Sequence, residues 1–375
     1  MVLTDNHSEA GAVSADRQSS FELMRIVAMV LVVAGHFGAH SGFDFPVKEF
    51  CFNRWWIELF EIGGNISVNV LVLLSGYFRI QSQGPKTAKL IQLWLQLFFY
   101  SIGIYLIFVV AGKDPLAIGE ILRRALPVSF MQWWFASTYL VLSLFSPYLN
   151  RLLRSFSRKQ YLGFLTMSFF CCSLMPTLTG QDFESNHLTW FIFLYALAAY
   201  IRLYGISIHL SAGKLIALSA VCALLTFSSV LLLETLSLRF AYLQNKIFYF
   251  YEIQRIPLLV ISLLLFLGFS RLRMKNHRWL NQFAAAMFGV YLIHDHEYVR
   301  YFLWLDVFHN MHHAQDPLLF IRFIGEVVGI FFSCALIELI RIHLVEKHYM
   351  PIVYRTAGRI DQITASLFHQ GDSEK

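Results

Sequence analysis

Charged residues are scarce in this chain: Asp, Glu, Lys and Arg make up 14% of the 375 residues, whereas 57% are apolar. The apolar residues form long runs, and not the short alternations that are typical of a soluble core. This composition excludes an ordinary soluble domain and indicates an integral membrane protein. Because the net charge of +6 comes mostly from lysines and arginines on one side of the predicted membrane, we expect no nucleic-acid partner.

Cysteine is also rare. The chain has five cysteines, and four of them, Cys171, Cys172, Cys222 and Cys334, fall within apolar runs. Their positions provide neither a disulfide framework nor the paired spacing of a zinc site. The first twenty residues lack the basic segment, short apolar core and cleavage site of a signal peptide, so we expect the first apolar run to remain as a membrane anchor.

Long apolar runs dominate the rest of the sequence. Ten of them have roughly the 20 residues that a hydrocarbon core of about 30 Å requires. They are 21–40, 64–82, 88–111, 132–153, 160–178, 188–204, 214–234, 250–270, 282–303 and 317–341. The sequence thus predicts an all-α, polytopic membrane protein, a bundle of about ten transmembrane helices.

Lysine and arginine predict the orientation and the domain limits. One alternate set of connecting segments, which includes both tails, holds more than twice as many of these residues as the other set. By the positive-inside rule, both termini are therefore expected in the cytoplasm. We expect a polar cytoplasmic tail at 1–20, one membrane domain at 21–355 and a cytoplasmic tail at 356–375, located in the cell (plasma or inner) membrane.

The first predicted span, "FELMRIVAMVLVVAGHF" (21–37), carries polar residues that are costly in hydrocarbon. Arg25 and His36 are eleven residues apart, so they share one helix face, separated by about 16 Å of rise. An imidazole suits proton removal from a hydroxyl, and a guanidinium suits an anion. The alternative is that Glu22 and Arg25 form an i,i+3 ion pair at the interface while His36 bonds a neighbouring helix. Spacing alone does not separate these two interpretations.

Two other runs also carry polar residues. The second span ends in "SGYF" (75–78), where the small Ser75 and Gly76 permit close approach by a helix or a ligand, packing being the commoner reason. The ninth contains "FGVYLIHDHEYVR" (288–300), which places Tyr291 and His294 at about the depth of His36. So many ionisable residues together are expected to face a cavity or the outer surface.

These stretches together resemble acyltransferase family 3, the integral-membrane enzymes that O-acylate bacterial envelope glycans. The resemblance rests on the Arg25 to His36 spacing, on "SGYF", on "WWFASTYLVLSLFSPYLN" (133–150) and on "GVYLIH" (289–294), which occur in order along the membrane domain. The chain departs from the family at the third span, where "KTAKLIQLWLQLFF" (86–99) replaces an arginine-rich start. The residues that hold the CoA phosphates are therefore not assigned.

The resemblance implies transfer of an acyl group, usually acetyl, from cytoplasmic acyl-CoA to a sugar hydroxyl of a polysaccharide or lipid-linked glycan. It implies no bound cofactor, acyl-CoA being a co-substrate, and it makes His36 the catalytic base with Arg25 as the second catalytic residue. The remaining motif positions are expected to bind donor or substrate: Glu22, Ser75, Gly76, Tyr77, Tyr291 and His294.

Other functions remain open at this point. A flippase or transporter for a lipid-linked glycan would also need polar groups within its spans. In a membrane sensor or assembly factor, the outer histidines would instead sense pH. A membrane-bound O-acyltransferase of the other type is disfavoured because its histidine usually comes late in the chain. "HDH" (294–296) and "HNMHH" (309–313) suggest a metal, but without a helical HExxH spacing we expect none.

Overall fold

The computed structural model describes residues 19–45, 51–82, 87–183 and 185–373, with side chains up to residue 363. The predicted tail 1–20 therefore lies almost wholly outside the described residues. The described part contains helices and no strand. The α-helices are α1 Ser19–His40, α2 Phe52–Arg79, α3 Thr87–Val110, α4 Ile118–Ala125, α5 Trp134–Ser155, α6 Arg158–Phe169, α7 Met175–Thr179, α8 His187–Tyr204, α9 Ala212–Ser237, α10 Ile256–Ser270, α11 Arg278–Ala284, α12 Met287–His294, α13 Glu297–Tyr301, α14 Leu319–Arg341 and α15 Lys347–Ser373.

Eight helical stretches in the described part are long and apolar enough to cross a membrane. They are Ser19–His40, Phe52–Arg79, Thr87–Val110, Arg158–Thr179, His187–Tyr204, Ala212–Ser237, Ala241–Ser270 and Leu319–Ile363. The all-α, multi-pass membrane fold is thus confirmed. The fourth predicted span falls on α5, where Ser, Thr, Asn and Pro interrupt the apolar residues. The number of ten and the side of the termini stay predictions.

The second predicted span was placed too late in the chain. Helix α2 begins at Phe52, twelve residues before the predicted start at residue 64, and continues through Gly63 and Gly64. These glycines do not break the helix because α1 packs closely there: a Cβ at Gly63 would lie 3.1 Å from the Leu31 carbonyl oxygen. Close backbone approach at small residues is the usual way that membrane helices associate.

The ninth predicted span is not one helix. It is divided into α11, α12 and α13, followed by a π-helical turn at Phe302–Val307. The break between α12 and α13 falls at Asp295 and His296, and the His296 ring accepts a hydrogen bond from the Tyr298 backbone N–H. Breaking the helix at consecutive polar residues places them in the protein interior, away from lipid.

The core lies around α1, α2 and α8. Two thirds (67%) of the most apolar stretch of α2 is buried, against 22% of that of α9, so α9 lies at the periphery and presents an apolar face outward. Asn69 of α2 links this helix to two other segments. Its side chain accepts a hydrogen bond from the Trp190 indole of α8 at 2.8 Å and donates one to the Ile253 backbone carbonyl at 2.9 Å. Buried polar groups with such partners fix the register of neighbouring helices.

Candidate active site

A cavity of about 660 Å³ runs along α1 between α2, α3, α5 and α12. Its lining includes both Arg25 and His36, as their shared helix face predicts. We call the part around His36, His40 and Asp295 the histidine end, and the part around Arg25, Arg79 and Lys89 the arginine end. The two ends are about 16 Å apart along α1, at a rise of 1.5 Å per residue.

At the histidine end, two imidazoles from distant helices meet. Nδ1 of His36 lies 3.0 Å from Nε2 of His294, and Nδ1 of His294 lies 2.6 Å from the Val290 carbonyl oxygen. Since a carbonyl only accepts, Nδ1 of His294 carries a hydrogen, and in the neutral ring its Nε2 accepts. His36 then donates from Nδ1, and its Nε2 is left as a lone pair. This hydrogen-bond network assigns the His36 tautomer that suits a general base.

Asp295 lies beside both histidines of α1. Its Oδ1 is 3.5 Å from Nδ1 of His36 and 3.7 Å from Nε2 of His40. Arg300 contacts the same oxygen at 2.8 Å and also donates to the Asp295 backbone carbonyl at 3.0 Å. The carboxylate is therefore compensated by a guanidinium, and the histidine end is a connected polar cluster inside the bundle.

His36, His40 and Asp295 are also the one group of residues in the described ranges whose spacing permits a metal ligand set. Their ligand atoms lie within 4.8 Å of one another. Two features of the donor set are unfavourable for a cation: Nδ1 of His36 is engaged by His294, and Asp295 is engaged by Arg300. The absence of a resident metal stays a prediction.

At the arginine end, Arg25 forms an ion pair with an acidic residue and also lines the cavity. Arg25 donates to both carboxylate oxygens of Glu22 at 2.7 Å, which is the i,i+3 pair that the sequence offered as an alternative. Arg25 nevertheless lines the cavity, and its side chain is 34% exposed. Arg79 and Lys89 line the same end, so positive charge collects there.

The "SGYF" motif divides between the cavity and the helix packing. Ser75 lines the cavity and lies 2.7 Å, oxygen to oxygen, from the Tyr139 hydroxyl of α5. Gly76 is not part of the lining: a Cβ there would lie 2.2 Å from the Tyr195 carbonyl oxygen, so it serves the contact of α2 with α8. Tyr77 also packs away from the cavity, with its hydroxyl 3.2 Å from Arg202.

The predicted site residues therefore fall into three groups. Arg25, His36, Ser75 and Tyr291 line the cavity. Glu22 and His294 touch a lining residue from behind. Gly76 and Tyr77 do neither, and their role in donor binding stays a prediction.

Sequence reasoning missed several lining residues. The i,i+4 spacing of His36 and His40 was a usable signal, since it places both rings on one helix face. Asp295 and Tyr139 were within the quoted motifs without an assigned role. No local signal marked Glu61 and Asn65 of α2 or Gln96 of α3, because these residues reach the cavity only through the packing of their helices.

Comparison with known protein families gives a match over most of the chain. A family model described as an acyltransferase domain, that of acyltransferase family 3, matches residues 18–339. Neither a curated protein nor a solved structure matches the chain. The matched range extends from the start of α1 to near the end of α14 and contains the whole cavity lining. The chain belongs to acyltransferase family 3 and is a multi-pass membrane acyltransferase.

Proposed function

We propose that the protein transfers an acyl group, most simply acetyl, from cytoplasmic acyl-CoA to a hydroxyl of a cell-surface or exported glycan, in the cell membrane. The observation that carries the proposal is the continuity of one cavity from Arg25 to His36. A cationic end suits the phosphates of CoA, and a histidine with a free Nε2 suits the acceptor hydroxyl. The family membership supplies the acyl transfer itself.

The chemical step needs little more than alignment and one base, because a thioester is already activated. Nε2 of His36 takes the proton of the acceptor hydroxyl as that oxygen attacks the thioester carbonyl carbon. The tetrahedral oxyanion collapses, the C–S bond breaks, and the departing CoA thiolate takes the proton back from His36. The products are an O-acyl ester and free CoA. Tyr291, whose ring lines the cavity, is the proposed hydrogen-bond donor to the oxyanion.

The walls between the two ends position the donor. Arg25, Arg79 and Lys89 hold its phosphates by charge. The Ser75 and Tyr139 hydroxyls, 2.7 Å apart, then lie beside the chain that links the phosphates to the thioester. His294 acts on His36 and not on substrate, and is a positioning residue.

The test compares the host's surface glycans and lipid-linked precursors by mass spectrometry in four strains: wild type, deletion, His36→Ala and His348→Gln. His348 is exposed and lies outside the cavity, which makes it the matched control. We expect an acetyl-sized mass to disappear in the deletion and His36→Ala strains at matched protein abundance, and to persist in His348→Gln. A deletion that changes glycan amount without losing acyl mass would instead favour the flippase alternative.

A further inference from the structure

Glu61 is a carboxyl group at the histidine end that the proposed chemistry does not use. It lies on α2 within the stretch that the sequence assigned to a loop, and it lines the cavity. A Cβ at Gly38 would lie 2.8 Å from Oε1 and 2.9 Å from Cγ of Glu61. Gly38 is two residues from both His36 and His40, so the absence of its side chain lets the Glu61 carboxyl lie against α1 at the level of the histidine end, on a different face of that helix from the two histidines.

The neighbouring acidic side chains form ion pairs with arginines, whereas Glu61 forms no ion pair within the described residues. Glu58, one turn earlier, pairs with Arg54 at 2.8 Å, and Asp295 pairs with Arg300 at 2.8 Å. No hydrogen bond or ion pair joins Glu61 to any residue in the part of the chain that the structure describes. A partly exposed carboxyl in a cavity wall, without a partner in the protein, suits a ligand that supplies hydrogen-bond donors.

Tyr251 provides a second, independent sign of a ligand. Tyr251 lines the cavity and is 5% exposed, and its hydroxyl has no hydrogen-bond partner within the described ranges. The Asn65 amide donates to the Tyr251 backbone carbonyl at 2.7 Å, which fixes this residue against α2. Phe248 lines the same cavity. Aromatic rings next to unsatisfied polar atoms suit an amphipathic molecule such as a sugar, whose C–H face packs on rings and whose hydroxyls hydrogen-bond.

From this arrangement we infer that Glu61 and Tyr251 bind the acceptor, and that the acceptor is a neutral or amino sugar. The inference rests on the proposed function and narrows its substrate class. Sugar hydroxyls or an ammonium group donate to the Glu61 carboxyl. A uronate or a phosphorylated sugar would meet that carboxyl as a like charge, since Arg300 is already engaged by Asp295. Such juxtaposition disfavours an acidic acceptor.

The experiment uses the full-length protein in host membranes with radiolabelled acetyl-CoA, followed by identification of the labelled sugar by tandem mass spectrometry. Kinetics then use the purified protein and glycan fragments from the deletion strain, which lack the acyl group. We expect the labelled sugar to carry no carboxylate or phosphate. We expect Glu61→Gln to raise the KM for the glycan fragment at least tenfold while the KM for acetyl-CoA is unchanged.

Two further variants sharpen the test. Gly38→Ala keeps the Glu61 carboxyl but displaces it, so the same rise in acceptor KM is expected without any change of charge. Asp306→Asn is the matched control, an acid-to-amide change at an exposed residue outside the cavity, and should behave as wild type. An unchanged KM for acetyl-CoA shows that each variant is folded.

The outcomes separate the inference from the proposed function. A labelled uronate or phosphorylated sugar overturns the inference and leaves the acyltransferase proposal intact. A wild-type acceptor KM in Glu61→Gln also overturns it, as does a loss confined to kcat, which would place Glu61 in proton transfer. If wild-type membranes transfer no label while the protein is present, the proposed function itself fails, and the inference falls with it.

Discussion

His36 and His294 meet nitrogen to nitrogen at 3.0 Å although 258 positions separate them in the chain. The contact brings α1 against α12, and it uses the last residue of α12 before the helix breaks at Asp295. The Val290 carbonyl holds the far nitrogen of His294 at 2.6 Å. Together these bonds determine which nitrogen of His36 carries the hydrogen, so the tautomer of a side chain in the first helix depends on the ninth predicted span.

This contact predicts a specific defect in His294→Phe. Phenylalanine retains a ring of similar shape but removes the acceptor for Nδ1 of His36, which frees the ring to change tautomer and orientation. We expect kcat to fall about 10- to 100-fold, part of the roughly 10²- to 10⁴-fold that a positioned general base contributes, while the KM for acetyl-CoA stays unchanged. Steady-state kinetics with labelled acetyl-CoA measures both. A wild-type kcat would show that His294 does not position the base.

Positive charge at the arginine end predicts a defect in donor binding. Arg25→Ala and Arg79→Ala should each raise the KM for acetyl-CoA about tenfold, equivalent to about 1.4 kcal/mol, with a smaller effect on kcat. The same titrations in rising salt should weaken the wild type more than either variant. Arg123→Ala is the control, since Arg123 is 49% exposed and lies outside the cavity. An unchanged KM for acetyl-CoA in both variants would show that the phosphates of CoA do not bind at the arginine end.

Substitution of Gly76 is expected to lower the stability of the protein and to leave its affinity for the acyl donor unchanged. In Gly76→Ala the new Cβ meets the Tyr195 backbone at 2.2 Å, so α2 and α8 must separate. Overpacking of this kind costs about 1–3 kcal/mol, which a thermal unfolding assay in detergent detects. Gly103→Ala in α3 is the matched control, because nothing lies within 4 Å of its Cβ. A raised KM for acetyl-CoA with normal stability would show that Gly76 contributes to donor binding.

The cluster of His36, His40 and Asp295 predicts inhibition by added zinc and no dependence on a metal. Treatment with a chelator should leave the transfer rate unchanged, because the thioester needs no further activation and Arg300 already supplies charge at Asp295. Excess Zn²⁺ should compete with substrate for the histidines. His40→Gln, which removes one ligand, should relieve that inhibition. Loss of activity on chelation, restored by zinc, would contradict this prediction.

Some features of the candidate site were readable from local pattern. Arg25 and His36 share a face by helix geometry alone, and both line one cavity. The ionisable run after Tyr291 was expected to avoid lipid, and the helix break does place Asp295 inside. The second span was predicted to start at residue 64, twelve residues after the start of α2 at Phe52, although Gly63 packs against α1 within the helix.

By itself, the sequence determined the membrane class, the all-α fold and the face of α1 that lines the cavity, because bilayer thickness and helical periodicity act over neighbouring residues. Only the tertiary structure decided that His294 contacts His36, that Gly76 packs against α8 and that Glu61 lines the same cavity as His36. These relationships join residues far apart in the chain. They arise from close helix packing and the pairing of buried polar groups, and no local pattern encodes which helices will meet.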